Sequence, residues 1–304
     1  MKPLSGKKHQ LLAGRIPVNV YDRCTASNSP HNDRCYMLHG KTSKTLRIVN
    51  DGTGVIDIFT HDAIGYMTGV HKSKRTKILW LSEPRELNKK QATLYHLVEQ
   101  NYGKWFDSGK CNYIITHDQK LLDLDNRFVF ILGNGVQIKR PRLYNKTKMT
   151  SMIASSKNFA PGHRVRQQLV EKYENSIDIY GIGKNYIQYK EQGLCDYRFS
   201  IVVENSDYPT WITEKVLDCF ATGTIPVYWG TKNINDYFDS RGIIQLDERF
   251  DINLLSAQLY NDMLPYVKNN LDLVREIEQP FDFVFDQFLP QNQILTDSWP
   301  WMNK

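Results

Sequence analysis

Short apolar runs broken by polar residues recur along the chain, and their alternation with amphipathic stretches predicts an α/β protein. The first 40 residues are polar and poorly periodic, and SNSPHNDRC (28–35) reads as loop. Regular signals begin with the β-rich runs KTLRIVND (44–51) and GVIDIFT (54–60). KILWLSEP (77–84) is an apolar strand that stops abruptly in polar residues and a proline. NKKQATLYHLVEQNY (88–102) reads as a helix with Ala92, Tyr95, Leu97 and Val98 loosely on one face. CNYIITHD (111–118) and RFVFILGNG (127–135) are again strand followed by loop.

KRPRLYNKTK (139–148) is basic and lacks periodicity, which places a linker there and divides the chain into lobes of residues 1–146 and 147–304. A second α/β series then starts with the strand KMTSMIAS (148–155) and the helix HRVRQQLVEKY (163–173). SIDIYG (176–181) and YRFSIVVEN (197–205) follow as strands, then a helix over 213–222 stopped by Gly223. TIPVYWG (224–230) and GIIQLD (242–247) are further strands, and the tail from 251 reads helical until QPFDF (279–283), with aromatics gathered towards its end. Two such series predict two Rossmann-like lobes facing a cleft, with ligands beyond the carboxyl ends of strands.

Composition changes this picture little. A chain of 304 residues with 41% hydrophobic and 24% charged residues has enough apolar material for a sizeable core, which excludes a disordered, collagen-like or coiled-coil chain. The net charge of +6 favours anionic partners, but the basic residues are scattered. No clustered Arg/Lys helix, RNP-like strand or zinc knuckle supports nucleic-acid binding. No apolar stretch is long enough for a membrane span, and the basic N-terminus lacks a signal-peptide core, while peripheral contact with an acidic membrane surface stays open. The cysteines at 24, 35, 111, 195 and 219 are odd in number, widely spaced and without a C-x-x-C. Free thiols in a reducing, cytoplasmic setting are therefore expected.

The chemistry concentrates in YRFSIVVENSDYPTWITEKVLDCFATGTIPVYWG, residues 197–230. A buried-strand run ends at Glu204, Asn205 and Ser206, and ten residues after Glu204 come Glu214 and Lys215 in the first turn of a helix. Free backbone N–H groups and the positive end of the helix dipole attract anions there, and a lysine adds full charge to the same point. Such a site holds a pyrophosphate without a P-loop. Glu214 beside it can accept hydrogen bonds from sugar or ribose hydroxyls.

Residues 197–230 closely resemble the signature of the α1,3/4-fucosyltransferases, glycosyltransferase family 10. The matching residues are Glu204-Asn205-Ser206, Thr213-Glu214-Lys215 and the stretch Gly223 to Gly230, with a looser likeness back to about Thr150. The resemblance implies a GT-B fold and inverting transfer of fucose from GDP-fucose to a glycan hydroxyl, with the nucleotide sugar on the C-terminal lobe and the acceptor on the N-terminal one. It implies that Arg166, Asn205, Trp211, Thr213, Glu214 and Lys215 bind the donor, with Glu204 beside them, and that Arg166 and Lys215 also act in catalysis. Arg164 is a turn-mate that competes with Arg166 for the phosphate role. The general base falls on Glu83, at the end of KILWLSE, with Glu86 and Asp62 next in line. No metal or other cofactor is implied.

Other signals count for less. Asp123 and Asp125 form a D-x-D in a polar loop, and two carboxylates alone rarely complete a metal site. His61-Asp62 and His117-Asp118 look like orienting pairs, but no G-x-S-x-G elbow is present to receive a base. Gly181-Ile182-Gly183 follows a strand without the rest of a dinucleotide fingerprint. A GT-B transferase using another nucleotide sugar, and a sugar-binding protein without catalysis, are the alternative readings.

Overall fold

The computed structural model describes residues 15–21, 43–49, 52–60, 63–133, 135–181 and 185–289. The expected loop at 28–35, Cys24, Cys35, His61-Asp62, Ile182-Gly183 and the end of the tail lie outside these residues.

The first lobe is a six-stranded sheet of β1 (Ile16–Tyr21), β2 (Leu46–Ile48), β3 (Ile56–Thr60), β4 (Thr76–Trp80), β5 (Tyr113–Thr116) and β6 (Phe128–Phe130). Its order is β2-β1-β3-β4-β5-β6 and every neighbouring pair is parallel. Parallel neighbours need crossovers, supplied here by α1 (Ile64–Gly69), α2 (Lys89–Asp107) and α3 (Gln119–Leu122) after β3, β4 and β5. β1 corrects the reading of the first 40 residues as polar and poorly periodic. Its IPVNVY carries a buried asparagine, Asn19, whose amide donates to Asp57 Oδ1 of β3 at 2.7 Å. A polar pair inside the sheet hides the strand from any hydrophobic count.

The second lobe holds β7 (Lys148–Ile153), β8 (Asp178–Tyr180), β9 (Tyr197–Val203), β10 (Ile225–Trp229) and β11 (Ile244–Gln245), in the parallel order β11-β10-β9-β7-β8. Between them run α4 (Pro161–Tyr173), α5 (Glu191–Leu194) and α6 (Glu214–Thr222), and α7 (Ala257–Arg275) follows the sheet. α6 ends as expected at Gly223, whose φ of 70° is the left-handed conformation that glycine adopts without strain. The expected strand at 242–247 shortens to Ile244–Gln245 because Ser240–Gly242 forms a 3-10 turn.

The tail departs from expectation at QPFDF. There the chain starts another helix, α8 (Pro280–Phe288), with proline where a missing N–H costs nothing and Gln279 Oε1 accepting the amides of Phe281 and Asp282. Phe281, Val284 and Phe285 of α8 sit in the apolar core of the first lobe with Ile58, Ile78 and Trp80. Asp282 Oδ1 accepts from Ser43 Oγ at 2.7 Å and from Thr45 Oγ1 at 2.6 Å. The chain therefore crosses between lobes twice. Among the described residues no helix is long and apolar enough to cross a membrane.

Candidate active site

The second sheet changes direction between β7 and β9, with β8 beyond β7 on one side and β10 and β11 beyond β9 on the other. Loops leaving the two strands at such a point diverge and open a crevice. α4 and α6 both start there. α4 approaches the end of β9 so closely that a Cβ on Gly162 would stand 1.7 Å from the Glu204 carbonyl oxygen, which leaves room for glycine alone. The Gly162 amide donates to Asn205 O at 3.0 Å and fixes this approach.

That packing brings Arg166 to the crevice floor. Its Nη2 donates to Val203 O at 2.6 Å and its Nη1 to Ser155 Oγ at 3.4 Å, and burial lowers its pKa against the pull of Glu204 and Glu214. Arg164 is exposed, so the geometry separates the two arginines that the sequence leaves in competition. His163 is buried a turn earlier, and its Nδ1 accepts the Ala160 amide at 3.2 Å. Burial, joined by Arg166 and Lys157, brings its pKa down to about 4, so the ring is neutral near pH 7.

The start of α6 carries a knot of charge. Glu204 is fully buried and accepts from the Thr213 amide at 3.0 Å, from Thr213 Oγ1 at 2.7 Å and from Lys215 Nζ at 3.0 Å. Lys215 Nζ also donates to Thr213 Oγ1 at 2.9 Å and lies 3.5 Å from Glu214 Oε1. Burial opposes charge on Lys215, but Glu204 and Glu214 outweigh it and raise its pKa. Burial also opposes charge on Glu214, and Lys215 and Lys190 prevail, holding it at about 2. Lys190 lies 3.8 Å from Glu214 and 2.9 Å from Asp218, whose Oδ1 accepts the Gln137 amide, just ahead of the linker, at 2.7 Å. Burial pushes the Asp218 carboxyl above its ordinary range.

The sequence predicts an open cationic pole at this helix start. The structure instead matches Lys190 and Lys215 with Glu204, Glu214 and Asp218, so an arriving anion competes with carboxylates for the Lys215 ammonium. Glu204 is turned wholly inward, where it fixes Thr213 and Lys215 and presents no carboxylate to solvent. Local spacing in the sequence does not single out Lys190 or Asp218, which meet across 28 residues. A carboxylate inside the apolar run VLDCFAT was the available signal for Asp218.

The first lobe contributes the loop after β4. Glu83 is half-buried there, and its carbonyl accepts from Tyr95 Oη at 2.8 Å. Glu86 lies in the 3-10 turn Arg85–Leu87, and its Oε2 accepts from Ser206 Oγ across the lobes at 3.5 Å. Partial withdrawal from water pushes its carboxyl above the ordinary range although Arg85 opposes this. Trp211 is buried at the joint between the lobes, its ring 4.4 Å from that of His117. It is engaged with the first lobe, and its indole Nε1 has no hydrogen-bond partner. Thr210 beside it adopts a φ of 73°, rare for a β-branched residue, while its hydroxyl donates to His117 O. Asp125 of the D-x-D is turned to Arg127 at 2.7 Å, and among the described residues no three metal-ligating side chains gather.

Two parallel-sheet α/β lobes facing one another, with a buried cation and carboxylate cluster at the switch point of the second, define a protein of the GT-B type. Residues 143–269, from the linker through most of α7, match the model of glycosyltransferase family 10 (fucosyltransferase) C-term. Alpha-(1,3)-fucosyltransferase FucT of Helicobacter pylori is 27% identical over 109 residues, 34% of this chain and 22% of that relative. The match thus spans about a fifth of the relative's length. A solved α1,3-fucosyltransferase structure has 13% identity and a TM-score of 0.49, covering 89% of this chain and 84% of its own. A mutant of S. aureus TarM, solved with UDP, has 16% identity and a TM-score of 0.43, with 79% and 54% covered.

Proposed function

We propose that the protein is an inverting glycosyltransferase that moves fucose from GDP-fucose to a hydroxyl of a glycan. The observation that carries this reading is the buried Arg166 and the partly buried Lys215 at the strand ends of a lobe whose residues 143–269 match the fucosyltransferase family model. Residues from 147 through α7 take the nucleotide sugar, and the first lobe, with α8 packed upon it, takes the acceptor. Arg166 and Lys215 receive the diphosphate, Lys215 exchanging Glu204 and Glu214 for phosphate oxygens. Glu214 and Asn205 remain beside them for donor hydroxyls. Trp211 and Thr213 hold the loop that leads into α6.

Glu83 removes the proton from the acceptor hydroxyl as that oxygen attacks the anomeric carbon. The new C–O bond forms while the bond to the β-phosphate breaks, and GDP leaves from the opposite face, giving an α-linkage from a β-linked donor. Charge developing on the diphosphate meets fixed cations that require no divalent metal. A cytoplasmic setting accords with the unpaired thiols of Cys111, Cys195 and Cys219. The test is GDP release from a panel of nucleotide sugars, with and without glycan acceptors, in wild type and Arg166→Ala. GDP-fucose is expected to be the preferred donor, and Arg166→Ala to weaken GDP binding at least tenfold, the loss of one charge-assisted contact. Turnover of every donor at background rate sinks the reading.

A further inference from the structure

The loop that carries Glu83 and Glu86 is held more firmly than its neighbouring helix requires. α2 is already capped, because Asn88 Oδ1 accepts the Gln91 amide at 3.0 Å. Two further side chains are nevertheless committed to the loop. Tyr95, fully buried on α2, donates its hydroxyl to the carbonyl of Glu83 itself at 2.8 Å. Arg85 turns inward, donating Nε to Asp118 Oδ2 at 2.6 Å and Nη1 to Glu99 Oε1 at 2.9 Å, with Cζ 4.9 Å from the Tyr95 ring centroid. Asp118 is itself fixed at the end of β5, accepting the Leu121 amide at 3.2 Å. Two elements, α2 through Tyr95 and Glu99 and the end of β5 through Asp118, thus converge on one short turn.

Stability alone does not account for this arrangement. A buried charge cluster stabilises a fold little more than apolar residues of the same volume, since desolvation offsets the attraction. Arg85 Nη2 is even left buried without a partner, a cost that an apolar side chain would avoid. What charged hydrogen bonds supply is direction. The turn they fix faces the second lobe, where Glu86 meets Ser206 of the motif loop.

We propose that Tyr95 and Arg85 are positioning residues that hold the carboxylate loop at the height and angle from which it reaches the acceptor. The proposal rests on the reading of Glu83 as the base. It is tested with Tyr95→Phe, which removes one hydroxyl, and with Arg85→Lys and Arg85→Met, using transfer kinetics, GDP titration and amide exchange over residues 82–88. A displacement of about 1 Å costs up to roughly a hundredfold in rate, so kcat is expected to fall at least about tenfold in Tyr95→Phe and Arg85→Met. The Kd for GDP should stay within about twofold, because the donor contacts lie in the other lobe, and exchange should quicken over 82–88. Arg85→Lys should recover little, since one ammonium cannot make both directed bonds. Unchanged kcat per folded molecule overturns the proposal, as does exchange at the wild-type rate. Should Arg85→Met fail to fold, Tyr95→Phe decides alone. Wild type that transfers no sugar sinks the proposed function, and this proposal with it, before any variant is made.

Discussion

Replacing Lys215 by alanine should injure the protein in two ways that can be told apart. The ammonium lies 3.0 Å from a Glu204 carboxylate that has no exposure at all. Removing one partner of a buried ion pair typically costs about 3–5 kcal/mol. Here Lys215 is a quarter exposed, and Glu204 keeps the amide and hydroxyl of Thr213, which argues for a smaller loss of about 2–3 kcal/mol. Separately, loss of one charge-assisted contact with a diphosphate weakens GDP binding by roughly 1.5–3 kcal/mol, or about 10- to 150-fold. Lys215→Ala/Glu204→Gln should separate these effects, because the stranded carboxylate is then gone too. Urea unfolding at pH 7 should show at least half the lost stability restored, while calorimetric titration shows no recovery of GDP affinity. Lys215→Ala with wild-type stability would refute the account of the buried pair. A double variant that regains GDP affinity would remove Lys215 from the phosphate site.

Glu83→Gln should keep GDP binding while transfer falls by about a hundredfold or more, the range of a lost general base, and a normal transfer rate would pass the role to Glu86. Transfer is expected to persist in EDTA, and complete loss restored by Mn²⁺ would bring Asp123 and Asp125 back as ligands. Acid should destabilise the fold in stages. His163, with a folded pKa of about 4 against an ordinary 6.5, takes up its proton first in the unfolded chain, so stability is lost as pH falls from 6.5 to 4. His117, lowered by burial to about 3, acts in the same direction, and Glu214, held at about 2, contributes below pH 4.5. His163→Gln should reduce the slope of urea stability against pH most near pH 5, by up to about 1.4 kcal/mol per pH unit, and an unchanged slope would contradict the assigned protonation.

Much of this was legible where apolar runs meet clear punctuation. KMTSMIAS, YRFSIVVEN and TIPVYWG each coincide with a strand of the second sheet, and Gly223 ends α6 as its position suggested. β1 escaped because its buried polar residue breaks the apolar count, and α8 escaped because its first residue is a proline that also reads as a stop. The helices α1, α3 and α5 span one or two turns, too short for a periodicity to register. In the site, local spacing announced Glu214 and Lys215, whereas Lys190 lies 28 residues from its partner Asp218. Nor could spacing reveal that Glu204 faces inward, since that depends on Thr213 and Lys215 returning over the strand end.

The double crossing between the lobes has a mechanical consequence. Two bodies joined by one strand of chain can swivel freely, but bodies pinned at two places turn only about the line through both pins. The linker before β7 and the short stretch between α7 and α8 are those pins. Any motion of the halves would thereby be confined to something like a door on two hinges, reopening and shutting on the same line instead of wandering. A boundary drawn at residue 269, where the family match ends, would cut away one hinge together with Phe281, Val284 and Phe285. The remaining piece would keep the cation cluster intact, yet the facing half would have an uncovered apolar flank and an unregistered swing.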